Sequence, residues 1–197
     1  MRILALADTP VEAYWNGVTR PDFTGIDLIL SCGDLPAEYL SFITCFARAP
    51  ILYVNGNHDG NYIHSPPEGC ICIDGSLYEF GGLRIVGLGG CIRYRPNAPF
   101  QYSQKDMDRR VSAMRFKIKR KKGFDILLTH SPAFGLGDGD DHAHTGFHSF
   151  VRLLDVFSPK YMVHGHQHQE YTHRFSRTIT YKDTTIINGS GRYIFDY

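Results

Sequence analysis

The sequence predicts an α/β protein, a four-layer sandwich in which two mixed β-sheets pack face to face with helices outside. Three observations predict it. Five apolar runs, Leu4 to Ala7, Leu28 to Cys32, Ile51 to Val54, Ile126 to Thr129 and Tyr161 to Val163, are each followed at the same end by Asp, Asn or His. Residues 26–55 alternate strand, helix and strand, the pattern of a parallel crossover. After Glu170 the chain breaks into short strands with turns, which suits antiparallel pairing. Open α/β sheets bind ligands beyond the carboxyl ends of their strands, so the five polar termini mark one candidate site.

Taken in order, residues 2–7 form a buried first strand that stops at Asp8-Thr9-Pro10, where Pro10 cannot donate to a ladder. Val11 to Tyr14 follow as a short helical turn. Residues 26–32 are the second strand. Pro36 stands where the first turn of a helix tolerates it, and Leu40, Ile43 and Phe46 or Ala47 give that helix a core face. The next strand runs into Gly56-Asn57-His58-Asp59, and Gly60 to Cys70 read as loop. Leu77 to Phe80 and Leu83 to Leu88 flank Gly81-Gly82 as a tight hairpin. A second loop, Gly89 to Tyr102, is rich in Gly, Pro, Arg and Tyr.

Ser103 with Asp106 marks a helix start, and Met107, Val111, Met114 and Ile118 recur at helical spacing as far as Lys122-Gly123. A strand leads to His130, an irregular loop covers 131–145, and a helix with Phe147, Phe150 or Val151, Leu154 and Phe157 inward ends at Ser158-Pro159. After the strand 160–164, short strands are expected at Tyr171 to Phe175, Arg177 to Tyr181, Thr184 to Asn188 and Arg192 to Phe195. The segment Tyr193 to Tyr197 is an edge strand or a dimer contact, so a monomer and a homodimer both stay open.

The 197 residues, 43% hydrophobic, suit one domain spanning 1–197. A net charge of +1 neither demands nor excludes an anionic partner, so any steering must be local. The apolar N-terminal run meets Asp8 too soon to span or leave a membrane, and a cytoplasmic protein is expected. Five cysteines, an odd number with no C-x-x-C pair, argue against a disulfide framework or thiolate zinc site and for reduced, mostly buried thiols.

Carboxylate, amide oxygen and imidazole without thiolate favour manganese first, with iron, zinc or nickel as alternatives. Asp8, Asp34, Asn57, His130, His166 and His168 are more ligands than one ion uses. Two ions sharing Asp34 account for the number. Such dinuclear sites generate a hydroxide near neutral pH and clamp the attacking and leaving oxygens of a phosphoryl displacement. The expected substrate is therefore a small phosphate ester, attacked in line.

In order and over nearly the whole chain, Asp8, Gly33-Asp34, Gly56-Asn57-His58-Asp59, His130 and Gly165-His166-Gln167-His168 resemble the ordered blocks of the calcineurin-like metallophosphoesterases. The resemblance implies the metallophosphoesterase fold. It implies that Asp8 and His168 hold a first metal, that Asn57, His130 and His166 hold a second, and that Asp34 bridges them. It also implies that His58 contacts the leaving group or a phosphoryl oxygen and that Asp59 orients it. The small size is similar to that of compact bacterial or archaeal phosphodiesterases of this superfamily.

One departure matters: the family's first block is usually Asp-x-His, and here it is Asp8-Thr9-Pro10. The first metal then keeps Asp8, Asp34 and His168, completed by water or by Glu12, and weaker binding there is expected. The alternative is a non-catalytic or mononuclear phosphate-ester-binding regulatory protein. Arg93 and Tyr94, with Arg95, Tyr102 and the loop 138–144, are expected to frame the substrate, since guanidinium holds phosphate bidentately and Tyr stacks on a ring. His164 is expected in the core. His142 and His144 are expected on a solvated rim. The basic run Arg115 to Lys122 is the charged face of an amphipathic helix, so a nucleic-acid partner is not favoured.

Overall fold

The structure is a computed structural model that describes residues 1–15, 21–168 and 176–197. Its first sheet collects β1 (Arg2–Ala7), β2 (Leu28–Ser31), β3 (Ile51–Tyr53), β4 (Ile71–Cys72) and β13 (Gly191–Asp196) in the order β13-β1-β2-β3-β4. The second collects β5 (Ser76–Phe80), β6 (Leu83–Leu88), β9 (Ile126–Thr129), β10 (Tyr161–His164), β11 (Thr178–Tyr181) and β12 (Thr184–Asn188) in the order β11-β12-β10-β9-β6-β5. β1, β2 and β3 run parallel, as do β6, β9, β10 and β12. Their carboxyl ends therefore gather along one edge of the sandwich.

Strand periodicity builds the layers. Along β1, Ile3, Ala5 and Ala7 point into the space between the sheets, where they meet Leu28, Leu30, Ile85, Ile126, Leu128, Val163 and Ile187. Leu4 and Leu6 point the other way, onto Tyr39, Leu40 and Ile43 of α2 (Ala37–Thr44). The second sheet turns Val86, Leu88, Leu127, Met162 and Ile186 outward onto α3 (Gln104–Arg120) and α4 (His148–Phe157), which contribute Met107, Met114, Ile118, Phe150 and Leu154. Each such buried aliphatic side chain contributes roughly 1.5–3 kcal/mol. Helix, sheet, sheet, helix is the predicted four-layer order.

The helix starts follow local chemistry. Ser103 accepts the Asp106 N–H at 3.1 Å while the Asp106 carboxylate accepts the Ser103 N–H at 3.2 Å, a reciprocal cap for α3. α4 ends at Ser158, whose left-handed φ of 44° precedes Pro159. The helical turn after Pro10 is α1 (Glu12–Trp15).

Several expectations need correction. The segment Gly60 to Cys70 holds a 3-10 turn at Gly60–Ile63, because Asp59 and the residues after it hydrogen-bond locally. The segment Gly89 to Tyr102 encloses two short paired strands, β7 (Cys91–Ile92) and β8 (Gln101–Tyr102). Near the C-terminus, β11 pairs antiparallel with β12 and β13 with β1, but β12 also lies parallel to β10. β13 is the edge strand of the first sheet. The strand expected at Tyr171 to Phe175 lies outside the described residues. The thiols are not mostly buried: Cys32 and Cys91 are, Cys70 is half-buried, and Cys45 and Cys72 are exposed; none is in a disulfide. Among the described residues no helix is long and apolar enough to cross a membrane.

Candidate metal centre

The six predicted ligands sit beyond the ends of β1, β2, β3, β9 and β10. Asp8, Asp34 and His166 turn the chain there with left-handed φ of 63°, 57° and 67°, a conformation that costs a non-glycine residue free energy and clusters at functional sites. Gly33 and Gly56 make the close approach feasible. A Cβ on Gly33 would overlap the Gly56 backbone, and one on Gly56 would overlap the Asp34 carboxylate. The two sheets are joined at this edge by His166 N–H donating to Asp8 Oδ1 at 2.9 Å, while within the second sheet Gly165 N–H donates to the His130 carbonyl at 2.9 Å.

Asp34, His130 and His166 form the tightest group, with one ligand atom from each all within 4.8 Å of one another. His130 is fully buried; its Nδ1–H donates to the Cys32 carbonyl at 2.8 Å, which leaves Nε2 facing Asn57 Oδ1 at 2.8 Å and Asp34 Oδ2 at 3.4 Å. His166 Nε2–H donates to the Ala143 carbonyl at 2.9 Å, which leaves Nδ1 for the cluster. Asn57 is oriented by its amide donating to the Tyr94 hydroxyl at 3.1 Å, so that Oδ1 faces His130. Asp34 Oδ1 accepts the His58 N–H at 2.8 Å.

Charge sharpens the picture. Burial raises Asp8 above the ordinary carboxylate range. Burial also acts to raise Asp34, but the neighbouring His130 imidazole and the hydrogen bonds from His130 and the His58 N–H outweigh it and hold Asp34 low. Burial acts to lower His130, and the charges of Asp34, Asp8 and Asp59 outweigh it and push it up. His166 goes the other way: burial beside His130 lowers it to about 3, so it stays neutral and able to ligate. Among the described residues no lysine or arginine forms an ion pair with Asp8, Asp34 or Asp59. Anions this buried need a cation, and the donor set of carboxylate, amide oxygen and imidazole fits a divalent transition metal.

The remaining predicted residues divide. His58 is exposed, and its N–H lies against Asp34. Asp59 is 3% exposed and its Oδ2 accepts the Asp34 and Gly56 N–H groups at 2.9 and 2.7 Å; burial pushes its carboxyl up to about 6. It thereby ties the loop that carries Asp34 to the loop that carries Asn57. His168 is half-buried on the Asp8 side, near enough for its charge to act on Asp8. Glu12 is exposed on α1. Arg93 is engaged by Asp106 at 3.0 Å and by the Gln101 carbonyl at 3.3 Å. Residues 93–98, which include Tyr94, line a cavity of about 550 Å³. His164 is buried, and burial lowers it to about 4, a neutral core histidine.

Sequence reasoning missed the strap over the cluster. Asp141 Oδ1 accepts the Ala143 and His144 N–H groups at 2.9 and 3.1 Å, and its Oδ2 meets His144 Nδ1 at 2.7 Å. This turn presents the Ala143 carbonyl to His166, stacks the His144 ring 4.9 Å from it, and joins the facing loop through His142 Nε2–H donating to the Arg93 carbonyl at 3.1 Å. An Asp followed two residues later by its own hydrogen-bonded N–H is a turn signature, but nothing in it points to a distant histidine.

A phosphoesterase of the metal-ligating α/β sandwich class is what this geometry describes. A family model described as calcineurin-like phosphoesterase matches residues 1–170, and the chain belongs to that family. The chemistry that family defines is metal-dependent hydrolysis of phosphate esters. No curated protein matches the chain. One solved structure superposes with a TM-score of 0.69 at 12% identity, over 99% of this chain and 94% of the other. TT1561 of Thermus thermophilus does so with a TM-score of 0.62 at 16% identity, over 96% and 89%. GAP50, the anchor in the inner membrane complex of Plasmodium, follows with a TM-score of 0.53 at 12% identity, over 95% and 70%. At these identities the likeness is one of fold.

Proposed function

We propose that this protein is a phosphodiesterase of small phosphate esters that works with two divalent ions, manganese foremost. Asp34, Asn57, His130 and His166 would hold one ion, and Asp8, Asp34 and His168 the other. The observation that carries this reading is the convergence of buried carboxylates, without lysine or arginine partners among the described residues, on the Asp34, His130 and His166 cluster. When bound, the ions supply a hydroxide near neutral pH and offset charge on the phosphoryl oxygens.

The chain's own residues do the rest. The Cys32 and Ala143 carbonyls each take one ring N–H, which turns the other nitrogen of His130 and of His166 toward the cluster. The exposed His58 hands a proton to the departing oxygen. Asp59 holds the Asp34 loop against the Asn57 loop by accepting one N–H from each. The free thiols suit a reducing compartment, and a cytoplasmic location follows from the same reading.

The test is to reload the stripped protein with Mn²⁺, remove unbound metal, count ions per chain, and assay bis(para-nitrophenyl) phosphate beside para-nitrophenyl phosphate. Faster turnover of the diester, lost in His58→Ala, is the expected result. A chain that holds metal but cleaves neither ester overturns the catalytic reading. Pro10, which stands where the family's blocks usually carry His, favours one second reading: a mononuclear or non-catalytic protein that binds phosphate esters for regulation.

A further inference from the structure

A second cavity, of about 470 Å³, opens on the Asp8 side and is lined by Thr9, Pro10, His168, Arg177, Ser190 and Arg192 among others. Among the described residues its lining offers two guanidinium groups, an imidazole and two hydroxyls, and no carboxylate. Arg177 is fixed in place, its Nη1 donating to the Ser190 carbonyl at 2.6 Å and reaching the Asn188 carbonyl at 3.3 Å. Burial lowers its pKa, which means that its charge is poorly solvated. Arg192 reaches across from β13 to the Tyr14 hydroxyl at 3.2 Å and forms no ion pair with a carboxylate among the described residues. Guanidinium is the side chain best matched to phosphate, because its planar fork donates two parallel hydrogen bonds. His168 belongs to this lining and its charge acts on Asp8, so the cavity adjoins the candidate metal centre.

We infer that this cavity is an anion subsite that takes a second phosphate group of the substrate, remote from the ester that is cleaved. The inference rests on the hydrolase reading only for the position of the cleaved ester; the cavity's own residues carry the anion binding. It also gives the Thr9-Pro10 wall a use: this side of the centre holds an anion with arginines where a further imidazole would have served the metal.

The test is calorimetric titration of the Mn²⁺-loaded chain, with unbound metal removed, using inorganic phosphate as the probe. The expected result is two phosphates per chain, one at the metal centre and one in the cavity, falling to one in Arg192→Ala, with the cavity's affinity reduced roughly tenfold or more and partly kept in Arg192→Lys. Tyr14→Phe removes the hydroxyl that Arg192 holds without touching the lining, and it keeps both phosphates. One phosphate in the parent falling to none in Arg192→Ala would sink the metal-centre reading and leave the subsite standing. Equal stoichiometry and affinity in parent and Arg192→Ala, or an equal loss in Tyr14→Phe, overturns the subsite.

Discussion

The two sides of the metal centre are built to different standards. On one side His130 is held by the Cys32 carbonyl, His166 by the Ala143 carbonyl, Asn57 by the Tyr94 hydroxyl and Asp34 by the His58 N–H. On the other, Asp8 is held by the His166 N–H, His168 is half-buried, and Pro10 offers neither a donor atom nor an N–H. Outer partners fix ligand orientation before metal arrives, and the first side brings four candidate ligands held in this way, whereas Pro10 leaves the second side one side-chain ligand short of the family's usual set. On the proposed two-ion reading the sides would bind with unequal affinity, and the difference teaches that ligand count alone does not describe a metal site.

The largest effect expected is from His130→Ala, which removes the central ligand of the stiff side. Activity and metal content on that side should fall by more than the roughly 10–100-fold that loss of an outer partner costs, read by steady-state kinetics and elemental analysis. A variant that still holds its metal would erase the contrast between the two sides. Next comes Pro10→His, which should restore a ligand to the poor side. Mn²⁺ retained per chain at limiting metal should rise, with affinity there higher by about tenfold or more. Unchanged retention would mean that other ligands already compensate for Pro10.

A smaller effect is expected from Asp141→Ala, which touches no ligand but releases the turn that carries Ala143. Mn²⁺ affinity should drop roughly tenfold on the His166 side alone, measured by competition with a chelator. An equal loss on both sides would show that the strap acts on the whole fold. The smallest effect on the centre, and a control for it, is Asp125→Asn at the opposite end of the second sheet. Arg84 donates Nε and Nη2 to Asp125 at 2.9 and 2.6 Å. Stability should fall by about 1–3 kcal/mol with metal content unchanged.

The pH dependence of that pair has a definite sign. The hydrogen bonds from Arg84 hold Asp125 below the ordinary carboxylate range, against the effect of burial. Its contribution is therefore complete above that range and fades as pH falls through the lowered folded-state value. Denaturant unfolding of parent and Asp125→Asn should converge at acid pH. A gap that persists there would assign the effect to packing.

Much of this architecture is written in local pattern. The alternation of Ile3, Ala5 and Ala7 against Leu4 and Leu6 dictates a strand buried on both faces, and Ser103 with Asp106 dictates where α3 begins, because both depend on chemistry within a few residues. The candidate metal ligands are legible as residue types at strand ends for the same reason. What the pattern does not show is contact at long range: that the Cys32 and Ala143 carbonyls select the nitrogen each histidine presents, that Asp59 uses its carboxylate on the Asp34 and Gly56 backbone, or that Arg93 is engaged by Asp106.

The thiols of Cys45 and Cys72 are exposed against the sequence expectation, because burial depends on what packs overhead. By itself, then, the sequence determined the sheets, their order of chemistry and the residue types offered as ligands. The tertiary structure alone decided how those candidate ligands are aimed, since backbone carbonyls carry no sequence identity and acquire side-chain partners such as these only when segments distant in the chain meet.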